Sequence, residues 1–292
     1  MQGFVSTFFE GMFFLGRLKN RARTFRAPAV CALGAILAFP GLGDATGPSR
    51  DYEQSADTAV EIGDALYQAL PLKLGNAVNA HPLVVAPCAE PFIFLAPTNT
   101  GKKLACDVSI SSGMLDFFNH VAHAKAADRV APGFYDDYLK RIALTPSGRL
   151  TLPEIADARF WTLPVRNRQM SLFNQMVGVL TAINLSHYYL GHYAKYAERL
   201  AGTDQSARSI NLCLTPAEWD ESVKAGAVNS MICALATQGG AVLYDAVSKL
   251  PQRPAWVDGL APPFADLHEL SKRLADYETN FYKGQLGAEN AR

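Results

Sequence analysis

The run from Gln169 to Leu200 constrains the fold more than any other part of the chain. Met176, Val179, Leu180, Ile183 and Leu185 recur there near helical spacing, interrupted only by Gly178 and Gly191. A pattern this long commits the chain to a helix-dominated architecture. Ala59, Ile62, Ala65, Leu66 and Leu70 predict a first helix, closed by Pro71. The apolar run Met114, Leu115, Phe117, Phe118, Val121 and Ala122 predicts another after Gly113, and a short one is expected near 135–142. Thr215-Pro216-Ala217-Glu218 reads as a capping box with proline in the first turn; the helix it opens is expected to reach about Thr237 and stop at Gly239-Gly240. Helices over 241–250 and 264–282 follow, separated by a proline-rich run. Leu83-Val84-Val85, Phe92-Ile93-Phe94-Leu95 and Val108-Ser109-Ile110-Ser111 read as short strands. The fold class is α+β, mainly helical, with a small sheet leading into packed helices.

An apolar fraction of 49% over 292 residues is ample for one large core. The 27 basic and 27 acidic residues cancel, so no global field draws the chain to nucleic acid. Arg17, Lys19, Arg21, Arg23 and Arg26 precede the apolar stretch 27–41, and small residues follow at 43–46. That order predicts a signal peptide or N-terminal anchor over 1–45 and one domain over 46–292. The stretch is shorter than the roughly 20 residues that span a bilayer, which favours cleavage near Ala45 and an exported, periplasmic or envelope location. Membrane contact is then confined to that segment if it stays uncleaved. In an oxidising compartment Cys88 and Cys106, flanking a strand pair that turns near Thr98-Asn99-Thr100-Gly101, are expected to bridge. Cys213 and Cys233 are expected to stay unbridged, held apart by the capped helix.

The segment with most chemical content is Ala182-Ile183-Asn184-Leu185-Ser186-His187-Tyr188-Tyr189-Leu190-Gly191-His192. It resembles the active helix of the gluzincin metallopeptidases that include the CAAX prenyl endopeptidases and their bacterial periplasmic relatives. There H-E-x-x-H puts two zinc ligands one turn apart, with the Glu as general base, and another His follows. Laid on this chain, the second ligand falls on His187 and the trailing histidine on His192. The first ligand falls on Ile183 and the base on Asn184. Isoleucine has no lone pair to offer, and an amide cannot take a proton near neutral pH. Glu221-Ser222-Val223-Lys224-Ala225-Gly226 is similar to the family segment whose Glu is the third ligand, which implies Glu221. The strand ending at Ser111-Ser112-Gly113 is similar to the family's edge strand, which implies a substrate cleft at Ser109, Ser111, Gly113 and Tyr188 open to an extended peptide.

The resemblance therefore implies a zincin-like scaffold in which zinc is weakly bound or absent, and no catalytic residue is assigned. Its function would be binding of a peptide, protein or envelope partner. The alternative is an active metal-dependent hydrolase with a non-standard site built from His187, His192 and Glu221. Five residues apart on a straight helix, the two histidines would point about 140° from one another. His120 and His123, three apart, have no carboxylate at matching spacing and read as ordinary packing or surface residues. Glu218 reads as a cap.

Overall fold

A computed structural model describes residues 52, 54–75, 78–99, 104–145, 150–201 and 209–290, all belonging to one unit, Asp44–Arg292. The signal or anchor segment over 1–45 and the turn at 100–101 lie outside the described residues. The helices are α1 (Ser55–Gln68), α2 (Ser112–Ala127), α3 (Phe134–Arg141), α4 (Leu163–Tyr189), α5 (His192–Ala201), α6 (Pro216–Ile232), α7 (Gln238–Ser248) and α8 (Leu267–Asn290). Strands β1 (Leu83–Ala86), β2 (Ile93–Asn99) and β3 (Leu104–Ser111) precede α2, and a two-stranded ribbon, β4 (Ala143–Leu144) with β5 (Leu150–Thr151), follows α3. The mainly helical α+β class is as the sequence predicts. Among the described residues no helix is long and apolar enough to cross a membrane.

α4 is the axis of the core. Every residue from Met176 to His187 is buried, so this stretch is enclosed on all sides rather than amphipathic. α4 begins at Leu163, earlier than the apolar pattern shows, because its first turns carry polar residues on half-exposed positions. Gly191, at φ 82°, ends the run, and α5 restarts at His192 in a new direction. α6 opens on the predicted capping box, with Glu218 N donating to Thr215 Oγ1 and Thr215 N donating to Glu218 Oε2. It ends at Ile232, not at Thr237. The expected stop, Gly239-Gly240, instead lies in the first turn of α7. A Cβ on Gly239 would sit 2.5 Å from the Leu172 carbonyl oxygen, so this glycine lets α7 press on the α4 backbone.

The sheet corrects one expectation. Its order is β1-β3-β2, with β1 parallel to β3 (Leu83 opposite Val108) and β2 antiparallel on the other side (Ile93 opposite Ile110). The strand carrying Ser109 and Ser111 is therefore central, with Ser109 paired on both sides, to Val84 and to Phe94. A parallel partner 25 residues upstream leaves no hairpin signal in the sequence, which is why the strand read as an edge. The Cys88–Cys106 bridge is also not formed. Cys88 is a free thiol whose carbonyl receives Gly113 N, whereas Cys106 lies opposite Pro97, several residues back along β3. At about 3.3 Å per residue the two positions are too far apart to join. Cys213 and Cys233, at opposite ends of α6, are free thiols as expected.

Candidate functional site

The turn at Gly191 brings together a buried polar cluster. It swings His192 back so that its Nδ1 lies 3.4 Å from His187 Nδ1, which a straight helix would not allow. Ser222 of α6 faces both, its Oγ 2.9 Å from His187 Nδ1 and 3.1 Å from His192 Nδ1. The same hydroxyl lies 2.9 Å from the Glu218 carbonyl oxygen. On the far side of its ring, His192 Nε2 is 3.5 Å from Glu221 Oε2. Trp219 stacks on His187 at 6.3 Å, and His187 is wholly buried.

Close helix packing sets this arrangement. A Cβ on Gly226 would stand 2.6 Å from Ile183 N, so α4 and α6 touch backbone to backbone there. One turn along each helix, His187 meets Ser222. Ser186 tightens the contact, with its Oγ 2.7 Å from Ile183 O and 3.2 Å from Ser222 O.

Burial pushes the His187 imidazole down to about 3; His192 adds to the effect, and Glu218 and Asn211 oppose it. Burial lowers His192 as well, against the pull of Glu218 and Glu221. Both rings are thereby held toward their neutral forms. Burial works to raise the Glu218 carboxyl, but hydrogen bonds from Lys195 Nζ (2.6 Å), Thr215 and Tyr196 outweigh it and hold it at about 2. Glu218 thus does more than cap α6: it ties that helix to α5.

Of the residues singled out in the sequence, His187, His192 and Glu221 do come together, but they do not converge on one point. The histidines face each other through Nδ1, whereas Glu221 meets the opposite nitrogen of His192. Ile183 packs on Gly226, and Asn184 donates its amide to Leu180 O in its own helix, 4% exposed. Among the described residues no group of three or more His, Cys, Asp or Glu is placed to hold a metal ion. Ser111 caps α2 through Met114 N, a Cβ on Gly113 would strike Ala89 O, and Ser109 pairs within the sheet. Tyr188 is half-buried at the end of α4. Ser222 escaped sequence reasoning. The only signal available for it was its place one turn before Gly226.

Of the packing or surface roles expected of His120 and His123, the structure gives both the packing one, in an aromatic cluster with Tyr52, Tyr138 and Trp161. Tyr52 OH lies 2.9 Å from His123 Nδ1, and His123 Nε2 lies 2.7 Å from the Phe160 carbonyl oxygen. His120 Nδ1 is 2.7 Å from Tyr138 OH, which donates to Pro153 O. Burial lowers His120 to about 4, helped by His123. Burial also lowers His123.

The fold and this cluster define a mainly helical α+β protein with a buried histidine–serine–histidine junction. No protein-family model, curated protein or solved structure matches the chain.

Proposed function

We propose that the chain is an exported, catalytically silent protein on a zincin-like scaffold, acting by binding an extended peptide or an envelope partner. The observation that carries this reading is the α4–α6 pair. It sets His187 one turn from Ile183 on a shared face, as the gluzincin resemblance requires, while the flanking residues are committed to packing. Asn184, at the position of the general base, is turned into its own helix and away from water. The basic and then apolar order of the first 45 residues supports export.

The surface suited to an extended peptide is the outer edge of β1 at Val85. Pro82 O accepts from Val108 N, so in the parallel register alternate residues face β3; half-buried Val85 turns its backbone groups outward, while Leu83 on the same side is buried against Gly63 of α1. Among the described residues no strand pairs with that side. A polypeptide added there would extend the sheet by main-chain hydrogen bonds.

Fluorescein-labelled unfolded casein tests both halves of the reading. The expected result is retention of the label without cleavage, insensitive to chelator. Val85→Pro, which removes an outward N–H and leaves the ladder to β3 intact, is expected to weaken retention by about tenfold. Cleavage abolished by chelator and by His187→Ala would replace this reading with an active hydrolase.

A further inference from the structure

We propose that the Ser222 hydroxyl occupies the place a metal ion would take between His187 and His192, making the histidines a metal-independent tether of α4, α5 and α6. The inference deepens the reading of the protein as catalytically silent and rests on it for the comparison with a metal site.

Two imidazole nitrogens bound to one tetrahedral zinc lie about 3.3 Å apart, each about 2.0–2.1 Å from the ion. The Nδ1 atoms of His187 and His192 are 3.4 Å apart, so their spacing alone would suit two ligands. The space they face is filled. Ser222 Oγ lies 2.9 and 3.1 Å from them, and an ion on the directions that meet this oxygen would fall within about 2 Å of it. A neutral hydroxyl is a poor ligand for zinc. Glu221, whose carboxylate contacts the pair, approaches the opposite edge of the His192 ring.

Proton counting gives the tether a definite form. Ser222 Oγ has one hydrogen and three polar neighbours: two ring nitrogens and the Glu218 carbonyl oxygen. His187 Nε2 and Asn211 Oδ1 are both buried without a partner at full hydrogen-bonding geometry, yet Asn211 lies near enough to act on His187. The assignment that serves both is a proton on His187 Nε2, directed at Asn211 Oδ1. Ser222 then donates to the bare Nδ1 of His187 and accepts from Nδ1–H of His192. The chain of donors links α6, α4 and the first residue of α5, and reaches the turn at Ile210–Leu212 through Asn211.

The test uses the full chain in three forms, with cobalt(II) as the metal probe and ring nitrogen-15 shifts as the tautomer probe. The natural protein is expected to show no stoichiometric cobalt absorption and opposite tautomers, Nε2–H at His187 and Nδ1–H at His192. Ser222→Ala is expected to lower Tm and disturb both ring signals. Ser222→Cys places a thiolate between the nitrogens and is expected to gain a sulfur-to-cobalt band, with affinity at least about a hundredfold above the natural chain. One cobalt per natural chain would overturn the proposal, as would unchanged ring signals and Tm in Ser222→Ala. A folded Ser222→Cys without the band would overturn it too. Hydrolysis by a metal-free natural protein with the tautomers as assigned would leave the tether standing and remove only the silent-enzyme reading.

Discussion

Gly226→Val is expected to destabilise the protein by about 4 kcal/mol or more, and Gly226→Ala by about 2–3 kcal/mol. The sign is decided by two opposed effects. Alanine in place of glycine inside a helix ordinarily gains up to about 1 kcal/mol. At Gly226, however, the added Cβ would lie 2.6 Å from Ile183 N and 2.7 Å from its Cα and Cγ1. Two of these atoms are backbone in the middle of α4, where every neighbour is buried, so no side-chain rotation relieves the contact. The helices must separate, and the His187–Ser222 contact one turn away separates with them. Gly284→Ala is the control, because nothing lies within 4 Å of a Cβ there and that residue is exposed. Urea denaturation is expected to show a lower midpoint for both Gly226 variants and an equal or higher one for Gly284→Ala. A Gly226→Ala protein as stable as the natural chain would mean that α4 and α6 are not in backbone contact.

The second large effect is acid destabilisation by buried neutral histidines. Burial holds His120 at about 4 and pushes His123 down, below the unfolded value near 6.5. As pH falls through 6.5 the unfolded chain takes up protons that the fold refuses, so stability drops with decreasing pH. For His120 the drop ends near pH 4, where the folded ring also protonates. Each such histidine contributes a slope of up to about 1.4 kcal/mol per pH unit within its window. His187 and His192 are pushed in the same direction and steepen the total. Glu218, held at about 2, adds its own loss only in more acid solution, as pH falls through the carboxylate range toward that value. Unfolding free energies measured between pH 7 and 4.5 should therefore fall steeply, with a slope about 1.4 kcal/mol per pH unit shallower in His120→Gln. A flat profile over that range would show these rings to be solvated.

Much of this fold was legible from local chemistry. The period of Met176, Val179, Leu180 and Ile183 marked the central helix, and Thr215 with Glu218 marked the start of α6, because caps and periodicity are properties of short windows. What escaped depends on partners distant in sequence. The Leu83–Ala86 strand pairs in parallel with a segment 25 residues on, and Gly239 breaks no helix because its neighbour is the Leu172 carbonyl. At the site, His187, His192 and Glu221 were legible as neighbours through the family resemblance, but their orientation was not. It depends on the positive φ of Gly191 and on Ser222, 35 residues after His187, whose role is defined only when two helices touch.

The zinc-to-chain ratio, measured by elemental analysis of protein purified without chelator, tests the central claim most directly. The natural chain is expected to carry well under one zinc per molecule. Ile183→His plus Asn184→Glu, which sets a second imidazole on the helical face of His187, is expected to raise that ratio. One zinc per natural chain, lost in His187→Ala, would contradict the account.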